Sequence, residues 1–468
     1  MKLKYNIFVL NSLLITSAFA SYLLNHELIG KISEAEVIAM STIPNNQELC
    51  HKKNHELNNQ DEINILARTC HEVVGNVEIL KDYQDKYVDL SDIEKIHGDL
   101  SVHDCSQIIS LNAPRLDTIG GGIKIKDLTS LVSITVPSLQ NVHNIEFVTL
   151  PLLKDININR DIEQLDKLII SDTSLQSIES FQNVKKVNTL EINNNRYLAN
   201  IDLHVDIVNE KLHIYSNADQ AQVNFAKLSS TGDLSIRNAG SFNLNNLEYI
   251  NKSLDIIENS IDQINLTKLK KVVGTVAIID NDNLKDVNCN NLTHIEGGLL
   301  IINNDNLKNM DFLPSIHTIG GAIQIDGTFH KVTFEKLKVI KGGANFRSQS
   351  DKFNCTELLE PLMERHVIRG ENLTCSSNMK NQSNLNQSNV TKISYNKTKT
   401  GKATGMKESM SSQTEITKSD SSAPSTTENS SKTGKVKSKK NSGLKLTSIN
   451  IYGIGIWFLI TFIFFSMF

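Results

Sequence analysis

The chain has 468 residues, 39% of them hydrophobic and 21% charged, with a formal net charge of −4. The charge is unevenly spread: residues 376–441 hold twelve Lys against four acidic side chains, and residues 21–375 carry about −15. A body that acidic is excluded from tracking nucleic acid or any phosphate-rich surface by charge.

In chain order, Lys2 and Lys4 precede an apolar run from Ile7 to Ile15 and then Ala18-Phe19-Ala20. A basic start, a short apolar stretch and a small-residue cleavage site predict a secretory signal peptide over 1–20, followed by an N-terminal segment over 21–49. CHKKNH at 50–55 sets His51 and His55 beside Cys50, too few ligands for a metal centre, and no cofactor is expected.

From residue 73 a pattern recurs: VVGNVEI at 73–79, IHGDLSV at 96–102, IGGGIKI at 119–125, TGDLSI at 231–236, VVGTVAI at 272–278 and IGGAIQI at 319–325. One central residue per copy gives Val77, Leu100, Ile123, Ile145, Leu168, Leu190, Leu212, Leu234, Leu254, Val276, Leu299, Ile323 and Ala344, with spacings of 20–24 residues. Thirteen copies at that period define a solenoid. Each has a short alternating strand and a second apolar group, such as LTSLVSI at 128–134. The expected fold is therefore all-β: a right-handed parallel β-solenoid of about 13 coils. Strands stacked ~4.8 Å apart make it on the order of 60 Å long.

The triple glycine 120–122 is then a corner piece, because a dinucleotide-binding loop needs a helix after it and none is readable past Lys126. Glycine before the central position is expected to serve a tight, left-handed corner. Asn runs at 193–195, 281–283 and 303–306 are expected to stack by hydrogen bonds at another corner.

Solenoid ends need caps. Cys50 and Cys70 bracket a short predicted helix with Asp61 and Glu62 in its first turn. Cys355 and Cys375 bracket a second, in which Pro361 is expected near the N-terminus. Six Cys allow fifteen pairings, and position favours these two. Cys105 and Cys289 lie about eight coils apart, too far to bridge, and are expected as buried thiols.

The capped repeat spans 50–375. Of the 66 residues in 376–441, 24 are Ser or Thr, and this stretch reads as a disordered, O-glycosylated stalk. Ten N-x-S/T sequons stand at Asn251, Asn265, Asn291, Asn354, Asn372, Asn381, Asn386, Asn389, Asn396 and Asn429. The triplet Asn441-Ser442-Gly443, the spacer LKLTSIN and the apolar run 451–468 read as a GPI-anchor signal. Its attachment residue is Asn441, with Ser442 second, and 442–468 is the propeptide removed.

The stretches 119–151 and 316–329, IGGGIKIKDLTSLVSITVPSLQNVHNIEFVTLP and IHTIGGAIQIDGTF, resemble the fungal GPI-anchored cell-wall organisation proteins with receptor-L-domain-like repeats, including their sporulation-specific branch. The resemblance covers roughly 50–375 and extends to the Cys at each end and the Ser/Thr-rich stalk. It implies a plasma-membrane and wall glycoprotein with no established catalytic residues, and inclines towards the spore-wall branch. Partners would be wall polysaccharides or wall proteins, with the membrane reached through the lipid anchor.

One step past each central position lies an outward face that includes Glu146, Glu191, His213, Ser235 and Asp255. The last four stand on successive coils, close enough for an acid–His–Ser chain. A flat face offers no oxyanion hole or pocket, so no catalytic residue is assigned. The expected function is non-enzymatic support of wall organisation. The alternatives are a wall-remodelling glycosidase or transglycosylase, and an adhesin or receptor-like glycan-binding module.

Overall fold

The computed structural model describes residues 46–378 and 391–396. The expected signal peptide, the sequons Asn381, Asn386, Asn389 and Asn429, the residues Asn441 and Ser442, and the apolar run 451–468 lie outside the described residues. Among the described residues no helix is long and apolar enough to cross a membrane.

Alternation of apolar and polar residues drives one strand per coil into a parallel stack, apolar side inward. Each of the thirteen expected central residues, Val77 to Ala344, pairs directly with the next. All thirteen are 0–4% exposed. The column has two further members: His55 pairs with Val77 at one end and Leu373 with Ala344 at the other. A second inward column runs beside it, from Leu57 and Ile79 to Phe346 and Cys375.

The opposite wall is broken. Tyr87–Asp89, Ser110–Asn112, Ser133–Val136 and Asp155–Ile158 form one parallel patch, and Asn200–Asp202, Ala221–Asn224 and Ala239–Asn243 the next. A 3-10 turn, Glu179–Phe181, takes the strand's place between them. Leu and Ile from both walls fill one continuous core.

The left-handed corner follows the main strand instead of preceding it. Asp104, Asp127, Thr149, Asp172, Asn194, Ser216, Asn238, Glu258, Asp280 and Asn303, one per coil, have φ of 53–59°. Short polar side chains, Asp and Asn above all, tolerate that conformation best. The glycines on the other side serve close approach: a Cβ on Gly98 would come within 2.6 Å of the Gly75 carbonyl, and one on Gly297 equally close to that of Gly274. Only Gly75 at that corner has positive φ, 108°. The expectation of a left-handed glycine corner is corrected accordingly.

Directly after the left-handed residue comes the expected asparagine stack. Asn195 Nδ2 donates to Asn217 Oδ1 at 3.0 Å, and Asn259 Nδ2 to Asn281 Oδ1 at 3.1 Å. Each amide also donates to a main-chain carbonyl of a preceding strand, Asn195 to Ile170 and Asn304 to Ile278. Cys105 holds the same position nearer the N-terminus, its thiol donating to the Leu80 carbonyl at 3.1 Å.

In the first coil the helix Gln60–Thr69 replaces the second strand, and in the last the helix Cys355–Glu364 does so. Asn59 caps the first helix by accepting from the Glu62 N–H at 2.9 Å, while Glu62 accepts from the Asn58 N–H at 2.7 Å. Pro361 is the seventh residue of the second helix, a correction to its expected place near the N-terminus. The carbonyl its ring leaves unbonded belongs to Glu357; both residues are exposed, so water can take that bond. Arg365 closes this end by donating to the carbonyls of Phe334, Glu335 and Leu337. Disulfides join Cys50 to Cys70 and Cys355 to Cys375, with Cα–Cα distances of 5.6 and 5.9 Å. Cys105 and Cys289 are free and buried.

The last main strand, Asn372–Ser377, runs two residues past the expected repeat boundary, and Thr391–Asn396 pairs antiparallel with it. Part of the expected stalk is thus strand; the run TKISYN has the β-branched and aromatic residues that suit one.

Candidate functional site

The main strand turns three side chains outward, so its wall carries three parallel columns of surface residues. Glu191, His213, Ser235 and Asp255 are in direct register on successive coils. Their hydrogen bonds go elsewhere. Glu191 pairs with Lys211 at 3.0 Å, and His213 Nε2 lies 3.2 Å from Asp233 Oδ2. Arg237 Nε donates to Ser235 Oγ at 3.3 Å, and its guanidinium is 3.9 Å from Asp255. The nucleophile and base of an acid–His–Ser relay are therefore not joined.

Two of these positions are less open than an exposed face requires. Glu146 is 7% and Ser235 6% exposed, because longer neighbours fold over them. Lys126 and Lys167 bracket Glu146 at 2.5 and 3.2 Å. Glu191, His213 and Asp255 are half-buried.

Asp233 belongs to this cluster, and sequence reasoning missed it by following only the column one step past the centre. The position before the centre also faces outward, and Asp233 is the one carboxylate there next to His213. The two aspartates are driven apart: the bond from His213 holds Asp233 below the usual carboxylate range. Burial, reinforced by Asp233, pushes Asp255 above it.

The fold engages Cys50 and His55 elsewhere. Cys50 is bridged to Cys70, and His55 points into the first rung with Nε2 3.3 Å from the Val74 carbonyl. Among the described residues no group of three His, Cys, Asp or Glu could hold a metal ion.

The sequon residues Asn251, Asn265, Asn291 and Asn372 are exposed. Asn354 is half-buried and caps a helix by accepting from the Thr356 N–H at 3.0 Å.

A disulfide-capped parallel solenoid with a broad polar wall places the chain in the class of extracellular repeat proteins. No protein-family profile and no solved structure matches it. Curated proteins do. Sporulation-specific protein 2 of Saccharomyces cerevisiae is 33% identical over 350 residues, 75% of this chain and 70% of that one. Cell wall mannoprotein PST1 of the same yeast is 39% identical over 308 residues, 66% of this chain and 68% of that one. Cell surface GPI-anchored protein ECM33 of Candida albicans is 34% identical over 290 residues, 62% and 70%. The chain belongs to the fungal ECM33 family, and is a protein of the cell surface and wall.

Proposed function

We propose that the protein is a non-enzymatic, GPI-anchored glycoprotein that supports fungal wall assembly, with the ascospore wall as its site of action. The observation that carries this reading is the outward wall of the main sheet. Its charged side chains pair along the stack, as His213 does with Asp233 and Glu146 with its two lysines, and do not converge on a reactive cleft. Relatives named for sporulation and for the cell wall support the assignment. Asn251, Asn265, Asn291 and Asn372 are the sequons best placed for sugars, and Asn441 is the proposed lipid attachment residue.

Deleting the gene and following a tagged copy through vegetative growth and spore formation tests the role. Spore-wall defects with the tagged protein at the spore wall are expected; an intact spore wall overturns the ascospore assignment, and intact walls in both stages overturn the wall role. Release from membranes by a GPI-specific phospholipase tests the anchor. Hydrolysis of β-glucan that vanishes in Glu191→Ala or Asp255→Ala would establish the glycosidase alternative instead.

A further inference from the structure

The rungs meet through glycine at most corners before the main strand, but not at Asn251-Lys252 nor in the middle of the solenoid. There the corner reads Val142-His143, Leu165-Asp166, Val187-Asn188 and Val208-Asn209. Here the strands Gln164–Thr173, Lys186–Asn193 and Ile207–Tyr215 run straight across the corner. The pairing register slips between Val187 and Thr189 and again between Val208 and Lys211. Polar side chains that at most other corners are glycine here line an open cleft of about 620 Å³.

Its wall carries a relay of side chains over three successive rungs. Asn209 Nδ2 donates to Asn188 Oδ1 at 2.6 Å, and Asn188 Nδ2 donates to Asp166 Oδ1 at 3.1 Å. This sets the amide orientations and leaves defined groups over: Asn209 Oδ1 and its second N–H, the second Asn188 N–H and Asp166 Oδ2. Acceptors and donors thus alternate along the cleft, flanked by His143, Asn141 and Gln164. Each sugar hydroxyl both donates and accepts, so such an alternation suits neighbouring hydroxyls on one ring.

Other ligand classes fit poorly. Asp161, Glu163 and Asp166 line the cleft against Lys186 alone, which repels anions. Glu163 is paired with Lys185 and Asp166 is engaged by Asn188, leaving no carboxylate cage for a cation.

A second, independent feature marks this region. Every sequon of the chain lies at residue 251 or beyond, so the coils bearing the cleft carry no N-linked sugar of their own to cover it.

We infer that the cleft between residues 140 and 209 is a binding site for a neutral oligosaccharide. The inference rests on the wall-supporting function proposed above and supplies its point of contact. The sugar source is either a wall polysaccharide or a high-mannose glycan on a neighbouring glycoprotein.

Full-length glycoprotein in detergent is titrated calorimetrically with soluble β-glucan, chitin and mannan oligosaccharides, and with an acidic oligosaccharide for contrast. Binding of at least one neutral series and none of the acidic one is expected. Asn188→Ala and the more exposed Asn209→Ala should each weaken that binding at least tenfold, with unfolding temperature unchanged for Asn209→Ala. Asn306→Ala, far outside the cleft, should bind as the unsubstituted protein does. A glucan or chitin response identifies the wall polymer as the source, and a mannan response identifies the glycan. No binding of any neutral series, or full affinity in Asn209→Ala, overturns the inference. If deletion of the gene weakens the wall while Asn209→Ala restores it fully, the cleft is wrong and the wall function stands; an intact wall after deletion removes the function itself.

Discussion

Asn281 and Asn304 occupy the same corner position one coil apart, and Nδ2 of the first donates to Oδ1 of the second at 3.0 Å. Asn281 is fully buried, and it also donates to the carbonyls of Ile256 and Ile279 and accepts from the Asn259 main-chain and side-chain N–H groups. One side chain thus meets five polar partners, its two N–H groups shared among three acceptors, in a place water cannot reach. Each buried group left unpaired costs about 1–3 kcal/mol. Asn281→Ala is expected to lower stability by more than about 3 kcal/mol, and Asn306→Ala, an exposed amide, by less than about 1 kcal/mol. Urea unfolding of the two variants checks this; equal effects would mean that the stack contributes nothing special.

Cys105 heads that corner column and Cys289 lies in the core, and neither is an ordinary thiol. Burial pushes Cys105 up to about 11 and Cys289 up to about 12. Both are protonated in the fold at neutral pH, so native protein should resist thiol reagents. Denatured, unreduced protein should yield two reactive thiols, and reduced protein six. A group whose acid form is favoured by folding contributes stability that is present below its unfolded pKa and lost as pH rises above it. Unfolding free energy should therefore fall from about pH 9 upward, less steeply in Cys289→Ala. A native protein that labels readily at pH 8 would contradict this.

Which parts of the structure were legible follows from what each residue had to do. The thirteen central residues were readable because burial on one side of a strand forces period-two alternation, and nothing else at that spacing does. His55 and Leu373 extend the same column and were not readable. A polar ring fills the first place, and the last falls inside a Cys-bracketed segment that had been assigned to a helix cap. The glycine corners were located correctly and explained wrongly, since sequence marks the glycine but not whether its missing Cβ serves φ or contact. Asp233 was overlooked for a related reason: outward columns on both sides of the centre carry chemistry, and alternation alone does not say which neighbours meet.

Glu146 shows how a surface position becomes a buried carboxylate held between two partly exposed lysines. Burial alone would raise its carboxyl pKa, but hydrogen bonds from Lys126 and Lys167 outweigh that and hold it below the usual range. A depressed folded pKa gives stability that is complete above the unfolded value of 4.5 and disappears as pH falls through the folded one. Glu146→Gln should therefore cost about 1–2 kcal/mol at neutral pH. The gap to the unsubstituted protein should narrow below pH 4.5, and chemical unfolding at pH 7 and pH 3 measures it. A gap that stays constant with pH would assign the loss to packing instead of charge.

The two disulfides secure opposite ends of a stack in which each rung contacts its neighbours, so their effects should stay local. Cys375 occupies the second inward column of the last rung, and its bridge to Cys355 ties that rung to the helix covering it. The bridge closes a loop 20 residues apart in sequence, worth about 3 kcal/mol through the unfolded chain. Replacing both Cys355 and Cys375 by Ala should raise amide exchange in Ala344–Ser348 and Asn372–Ser377, leaving Leu100–His103 protected. The matching change at Cys50 and Cys70 should loosen Asn54–Leu57 and the helix Gln60–Thr69 and spare the C-terminal rungs. Because a solenoid frays from whichever end loses its cover, the exchange pattern distinguishes a cap from a global clamp. Uniform loss of protection after either replacement would show the stack unfolding as one unit.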